Sequence, residues 1–283
     1  MPKISKQAAR PTGRTKSAGV LSRIRKMGFD PEDGIRINLY GRSGTGKTTL
    51  WGTFPKPILA IICSGGKEPG ELRSIDTPAN RKVIDQVSLE KPEELEELVA
   101  LQNETEKYRT IVLDHATGLQ DMVLAQILGV EQIPEQKSWG LATRDQYGTT
   151  GIRMKTLLRL LLDLRCNVVI VAQERNFNEE SESDLINPYV ASALSPSVMG
   201  WLGPAADYIA QTFIREQTEQ KLLKIAGKTT SRLEKTGRVE YCLRVGPSAT
   251  YATKFRVPKG VELPEVIVDP DYDKIAKLIQ GAR

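Results

Sequence analysis

The most informative part of the sequence is "INLYGRSGTGKTTLWGTF", residues 37–54. An apolar run comes first, a glycine-rich turn follows, and Lys47-Thr48-Thr49 opens the next segment. Residues 41–48 match the pattern G-x-x-x-x-G-K-[ST] in full. A loop of this kind turns successive backbone N–H groups inward onto phosphate oxygens. The stretch therefore predicts a strand, a phosphate-binding loop and a helix, which together begin an α/β fold.

The residues of this loop have different predicted roles toward a nucleoside triphosphate. Lys47 is expected to reach the β- and γ-phosphates, and the hydroxyl of Thr48 is expected to bind Mg²⁺. Thr49 is expected to assist near the α- and β-phosphates. ATP and Mg²⁺ are therefore the predicted cofactors. The complete set of predicted nucleotide-binding residues is Gly41, Arg42, Ser43, Gly44, Thr45, Gly46, Lys47, Thr48 and Thr49.

A second apolar run, "TIVLDHA" (110–116), ends in an acidic residue. P-loop enzymes hold Mg²⁺ with a carboxylate at the end of a neighbouring buried strand. We therefore expect Asp114 to bind the metal, directly or through a water. His115 follows at the position where many P-loop motors carry a catalytic Glu, so the base that activates water has to come from elsewhere. The candidates for that base are Glu68, Glu71 and Glu174.

The apolar run "NVVIVAQ" (167–173) ends in Gln173. A neutral amide at a strand tip beside the γ-phosphate can sense whether that phosphate is present, and can pass the difference to the following loop. Gln173 is therefore a candidate catalytic residue. A polar strand cap is the alternative interpretation.

Apolar strands alternate with amphipathic helices through most of the chain. This alternation predicts a mostly parallel central sheet that is covered by helices on both faces. Later, the shorter runs "KLLKIAG", "RVEYCLRVG" and "ATKFRVP" predict an antiparallel extension of the sheet. Predicted strands cover 35–41, 56–63, 81–89, 108–116 and 167–174, and predicted helices cover 91–107, 118–129, 149–166 and 269–283.

The positive charge of the chain is concentrated at its N-terminus. The 283 residues carry a formal net charge of +5, but residues 1–26 alone contain eight Lys and Arg and no acidic residue. We expect residues 1–30 to form a basic flexible tail and residues 31–283 to form the core. Such a tail suits a polyanion partner, and a solvated leader is the alternative.

Several observations favour a cytoplasmic protein without a membrane partner. No apolar run approaches the ~20 residues of a membrane span, and the N-terminus lacks the apolar middle of a signal peptide. The widely spaced Cys63, Cys166 and Cys242 are expected to be reduced and mostly buried. With a single His, a Cys/His zinc site is disfavoured.

Taken together, these motifs resemble the RecA-like ATPase core. The resemblance lies in the strand, P-loop and helix, in a strand ending in Asp114 without a following Glu, and in a strand ending in Gln173 before a long loop. It extends to "YATKFRVPKG" (251–260), where Lys254 and Arg256 form a K-x-R pair. In RecA-like and DnaB-like assemblies such a pair reaches the γ-phosphate held by the neighbouring subunit. The resemblance therefore implies that both residues act in trans during catalysis.

More narrowly, the chain resembles the phage-encoded RecA-like ATPases described as Sak-type single-strand annealing proteins. The stretch "LSPSVMGWLGPAADYI" (194–209), followed by "TKFRVP", favours this group over a generic motor, and the resemblance covers roughly residues 33–265. It implies a homo-oligomeric ring or filament on single-stranded DNA in the host cytoplasm, with a single-strand DNA-binding protein as a further partner. One departure is "CSGGKEPGE" (63–71), where RecA-like cores carry an acidic pair at the strand end.

The same resemblance places DNA on two loops, at about 130–151 and 174–197. Aromatic and cationic residues that are interleaved in a loop can stack bases and neutralise phosphates. The first loop carries Lys137, Trp139, Arg144 and Tyr147, and the second begins with Arg175, Asn176 and Phe177.

The leading hypothesis is a Mg²⁺-dependent, DNA-stimulated ATPase that promotes annealing or strand exchange in phage recombination. Two alternatives remain open: a hexameric DNA-translocating motor like a helicase, and a nucleotide-gated DNA-binding module with little turnover. A small-molecule kinase is disfavoured because no arginine-rich lid is recognisable. A GTPase is disfavoured because no N-K-x-D motif is present.

Overall fold

The computed structural model of the chain describes residues 34–63, 72–131, 142–179, 187–225 and 228–281. The predicted basic tail, residues 1–30, lies outside the described residues. So do Glu68, Glu71, Lys137 and Trp139.

The described strands form one sheet. They are β1 (Arg36–Gly41), β2 (Ile58–Ile62), β3 (Ile84–Ser88), β4 (Thr110–Asp114), β5 (Asn167–Glu179), β6 (Asn187–Ser192), β7 (Tyr208–Ile225), β8 (Lys228–Arg244) and β9 (Val266–Val268). Their order is β3-β2-β4-β5-β1-β7-β8-β9, and β6 pairs with β5. All strands from β3 to β7 along this order run parallel, whereas β8 and β9 join through antiparallel pairs. This confirms the predicted parallel sheet with an antiparallel extension.

Successive residues of a strand point to opposite sides of the sheet. Because the buried strands are apolar on both sides, helices cover both faces. On β4, Ile111 and Leu113 join the core under α2 to α5, and Val112 joins the core under α1 and α6. The helices are α1 (Lys47–Trp51), α2 (Glu94–Thr105), α3 (Ala116–Leu128), α4 (Arg144–Leu162), α5 (Pro196–Ala205) and α6 (Tyr272–Gln280).

The first predicted DNA-binding loop is partly helical, which corrects the prediction. Helix α4 begins at Arg144 rather than at residue 149. The side chain of Thr143 accepts the backbone N–H of Gln146, and the side chain of Gln146 accepts that of Thr143. This reciprocal cap satisfies two N–H groups that would otherwise lack partners at a helix start. Arg144 and Tyr147 therefore lie on the first turns of α4.

The second predicted DNA-binding loop, at about 174–197, begins as a strand, so this prediction of a loop is also wrong. Strand β5 continues through Arg175, Asn176 and Phe177, and it pairs antiparallel with β6. Polar residues can form strands here because the partner strand satisfies their backbone groups. These three residues therefore lie on a hairpin that extends from the central sheet.

The segment "ATKFRVP" does not form the predicted strand. Lys254 makes one isolated bridge with Ile209, and the strand that pairs with β8 is β9. Cys63, Cys166 and Cys242 are buried, as predicted. Within the described ranges, no helix combines the length and apolar character that crossing a bilayer requires.

Candidate nucleotide-binding site

The glycine-rich loop follows β1 and rests against β7. A Cβ atom on Gly41 would clash with the backbone oxygen and the hydroxyl of Thr212, so only glycine permits this approach. Gly44 and Gly46 have φ values of 79° and 86°, in the left-handed region that favours glycine. The three glycines of the motif are thus required by the backbone path itself.

Thr45 connects the loop to the neighbouring strand. Its hydroxyl lies 2.8 Å from the backbone oxygen of Arg42 and 2.7 Å from the hydroxyl of Thr212. Both threonines are buried. Since β7 pairs directly with β1, this contact holds the loop against the neighbouring strand of the sheet.

Lys47 lies in the centre of the loop. Its ammonium donates to the backbone oxygens of Gly41 and Arg42 at 2.8 and 2.7 Å. Burial lowers the pKa of Lys47, and the negative charges of Asp114 and Glu174 partly oppose this shift. The lysine charge is therefore placed where it faces both carboxylates.

Asp114 lies at the end of β4 and is held by α1. The indole Nε1–H of Trp51 donates to Asp114 Oδ2 at 3.1 Å. Burial raises the pKa of Asp114, and the hydrogen bond from Trp51, followed by the charges of His115 and Lys47, opposes that rise. Sequence reasoning missed Trp51, since its position on α1 gives no sign of a partner on β4.

The strand order corrects one expectation about Asp114. We expected its strand to neighbour the P-loop strand, but β5 lies between β1 and β4. Gln173 on β5 is therefore the residue directly opposite Gly41 in the ladder. The backbone N–H of Gln173 donates to the hydroxyl of Thr117 at 3.2 Å, which connects this strand end to α3.

Glu174 is the described member of the three candidate bases, because Glu68 and Glu71 lie outside the described residues. Its side chain is 9% exposed. It accepts hydrogen bonds from Gln211 Nε2 at 2.7 Å and from Arg42 Nε at 3.3 Å. The carboxylate is thus held beside the P-loop by two partners.

His115 has a structural contact at the start of α3. Its Nδ1 accepts the backbone N–H of Gly118 at 2.8 Å, so the imidazole caps the helix. A Cβ on Gly118 would clash with the backbone oxygen of Cys63. This close approach positions the start of α3, and with it the end of β4 that carries Asp114.

The side chains of Lys254 and Arg256 lie near the amino-terminal ends of β1 and β7, whereas the P-loop follows the carboxyl end of β1. The ammonium of Lys254 donates to the backbone oxygens of Gly203, Pro204 and Ala206 at 2.8, 3.2 and 2.6 Å. The guanidinium of Arg256 pairs with Asp207 at 3.2 Å. Asp207 precedes β7, and its backbone N–H donates to Arg36, the first residue of β1. The structure therefore does not bring this pair to the P-loop of the same chain.

The oxygen atoms available at the site suit Mg²⁺ that binds together with a nucleotide. Mg²⁺ prefers oxygen ligands, and it is usually held by one or two carboxylates with phosphates and waters. The half-buried Thr48, in α1 directly after the loop, and Asp114, at the end of β4, carry such oxygens. In the part of the chain that the structure describes, no group of three or more His, Cys, Asp and Glu forms a metal site on its own.

The chain combines a parallel sheet with a glycine-rich loop around the buried Lys47. The charge of Asp114 interacts with that lysine. These features define a P-loop nucleoside triphosphatase. The family model described as AAA domain matches residues 33–257, and the chain belongs to this family. Membership indicates an ATP-binding protein of the ATPase class. A comparison with curated proteins finds no match.

Proposed function

We propose that the protein is a Mg²⁺-dependent ATPase that acts on single-stranded DNA as a homo-oligomer and promotes annealing or strand exchange, as phage recombination requires. The observation that carries the catalytic part is the buried Lys47 of the loop, with the half-buried carboxylate of Asp114 at the carboxyl end of β4. Charges that face a ligand in a region of low dielectric interact more strongly than charges in water.

The residues of the loop have separate roles in this proposal. Lys47 exchanges its bonds to the backbone oxygens of Gly41 and Arg42 for bonds to phosphate oxygens. Thr48 and Asp114 hold Mg²⁺, which neutralises charge on the phosphates when it is bound. These side chains are attached to α1 and β4, which are tied together by the hydrogen bond from Trp51.

Glu174 is the proposed base that orients the attacking water. Its carboxylate lies on β5, next to the strand that carries the P-loop. In the structure each of its two oxygens accepts one hydrogen bond, from Arg42 and from Gln211, which leaves acceptor capacity for a water. Gln173, opposite Gly41, is the proposed sensor of the γ-phosphate.

The geometry of β5 supports a link between nucleotide and DNA. Gln173, Arg175 and Phe177 alternate along one strand, so they share a face. The guanidinium carbon of Arg175 lies 5.2 Å from the centroid of the Phe177 ring. A cation beside an aromatic ring is suited to neutralise a phosphate and stack a base. In this proposal, a change at Gln173 is passed along β5 to these two residues.

The position of the K-x-R pair supports a homo-oligomer. At about 3.3 Å per residue, the five steps from Arg36 to Gly41 along β1 span roughly 17 Å. Arg256 lies at the Arg36 end, so its side chain cannot reach the P-loop of its own chain. A role for Arg256 at the γ-phosphate therefore needs a second copy of the chain.

The decisive experiment measures ATP hydrolysis with and without single-stranded DNA, together with sizing in the presence of a non-hydrolysable ATP analogue. We expect DNA to stimulate hydrolysis and the analogue to favour the oligomer. The double variant Arg175→Gln, Phe177→Ala should lose the stimulation, whereas the exposed Lys259→Gln serves as a charge-matched control. Equal rates with and without DNA, and no DNA binding at low salt, would exclude the DNA function.

One observation favours a second candidate, a nucleotide-gated DNA-binding module with little turnover. The two described partners of Glu174 hold its carboxylate in one orientation, so hydrolysis is slow if that orientation does not suit the attacking water. A single-turnover measurement separates the two functions: the module retains ATP unhydrolysed, and the ATPase releases ADP. In the module, Arg42→Ala should accelerate hydrolysis because it removes one of the two contacts that fix the orientation of the Glu174 carboxylate.

A further inference from the structure

Tyr241 on β8 lies over the phosphate-binding loop. A methyl group built on Gly46 would lie 3.1 Å from Cδ1 and 3.7 Å from Cε1 of the Tyr241 ring. The side chain is nevertheless 45% exposed. A tyrosine that contacts the loop backbone and remains open to solvent is available to a ligand that the loop holds.

Two aliphatic side chains extend this exposed surface. Ile214 is directly opposite Tyr241 in the β7–β8 ladder, and Val239 is two residues from Tyr241 on β8. The three residues therefore share one face of the hairpin. Ile214 is 49% exposed and Val239 is 55% exposed. A contiguous apolar surface that a protein leaves exposed marks a binding site more often than single exposed residues do.

The sheet order tells which end of a nucleotide meets this surface. Asp114, the proposed metal ligand, lies on β4, on one side of the P-loop strand. Tyr241 lies on β8, on the other side of that strand. Asp114 would hold the metal on the β4 side of the loop, which leaves the side of β7 and β8, where Tyr241 lies, open to the nucleoside.

The geometry points to a base-binding surface, formed by Tyr241 with Ile214 and Val239, that stacks the base of the bound triphosphate and favours purines over pyrimidines. This inference rests on the proposed function, since it names the substrate class of the same site. A larger ring system buries more area against an aromatic and aliphatic surface.

Arg215 and Glu240, the described polar residues next to Ile214 and Tyr241, do not donate or accept at the edge of a base on this surface. Arg215 and Glu240 are paired with each other, with Nε 2.8 Å from Oε2. They alternate with Ile214 and Tyr241, so they point to the other face of the hairpin. Selection by this surface therefore depends on ring size, and adenine and guanine should be held nearly equally.

The test compares nucleotides with inorganic tripolyphosphate, which occupies the P-loop and has no base. Isothermal titration with Mg²⁺ present should give tighter binding of ATP and GTP than of CTP and UTP. Tyr241→Ala should weaken ATP binding about tenfold or more and should leave tripolyphosphate binding unchanged. Tyr241→Phe should bind ATP like the wild type. Leu101→Ala, an exposed apolar residue on α2, is the control for general effects of truncation.

The outcomes separate this inference from the proposed function. If the wild type binds ATP and Tyr241→Ala binds it equally well, the base-binding surface is wrong and the ATPase proposal stands. If Tyr241→Ala weakens ATP and tripolyphosphate to the same extent, the ring supports the loop rather than the base, and the inference is again wrong. If the wild type binds neither ligand, the proposed function itself fails and the inference falls with it.

Discussion

Replacing Trp51 by Phe should weaken the binding of Mg²⁺ without removing any metal or phosphate ligand. Trp51 is fully buried, and its Nε1–H donates to Asp114 Oδ2 at 3.1 Å. Phe retains an aromatic ring and lacks the donor. A hydrogen bond to a charged group contributes about 1.5–3 kcal/mol. Loss of such a partner from a metal-ligating carboxylate typically costs about 10–100-fold in metal affinity, which is the same energy range.

The defect should also depend on pH, in a direction that follows from the pKa of Asp114. Burial raises this pKa, and the hydrogen bond from Trp51 is the largest opposing effect. Without the indole, Asp114 is protonated at a higher pH than in the wild type. The protonated carboxyl does not bind Mg²⁺. The loss of metal affinity in Trp51→Phe should therefore grow as pH falls and diminish as pH rises.

The assay is ATP hydrolysis at saturating ATP, titrated with Mg²⁺ at several pH values. We expect the half-saturating Mg²⁺ concentration to rise about 10–100-fold in Trp51→Phe. Thermal unfolding identifies any loss of folded protein, and Trp201→Phe controls for an indole outside the site. A folded Trp51→Phe protein with an unchanged half-saturating Mg²⁺ concentration would refute the role of the indole.

Three further variants test the remaining parts of the site. Lys47→Ala should lower hydrolysis by at least about 100-fold in a protein that remains folded by circular dichroism, and wild-type turnover would remove the loop from the reaction. Asp114→Asn should raise the Tm at neutral pH by about 1–4 °C. Burial raises the pKa of Asp114, so the folded protein loses stability as pH rises through that pKa and the carboxyl ionises, and Asn cannot ionise. An unchanged or lower Tm would contradict the desolvation of this carboxylate. Arg256→Ala should reduce hydrolysis while ATP binding persists, and mixing it with Asp114→Asn should restore part of the activity; no rescue in mixed oligomers would argue against action in trans.

The P-loop could be predicted from the sequence because its determinants are local. Gly41, Gly44 and Gly46 are spaced by the path of one loop, and Lys47 and Thr48 begin the helix that follows it directly. The continuous apolar run of β4 likewise encodes two covered faces within five residues. Local encoding of this kind needs no knowledge of which strands are neighbours.

The contacts of Glu174 could not be predicted, because they join distant parts of the chain. Its partner Arg42 is 132 residues away, and its partner Gln211 is 37 residues away. They meet only because β1 lies between β5 and β7, and no local pattern states that order. By contrast, the early start of α4 was predictable, since Thr143 and Gln146 form a recognisable capping pair.

To reach the nucleotide of a neighbouring subunit, Lys254 and Arg256 would have to give up different contacts. The ammonium of Lys254 satisfies three backbone oxygens at the end of α5, which would lose their partner if it moved to another subunit. The side chain of Arg256 is 60% exposed, and Asp207 is its ion-pair partner among the described residues. An exposed surface ion pair contributes little stability, about 0–1 kcal/mol. Arg256 can therefore extend to a neighbouring nucleotide at small cost, whereas Lys254 is better suited to hold the segment that presents it.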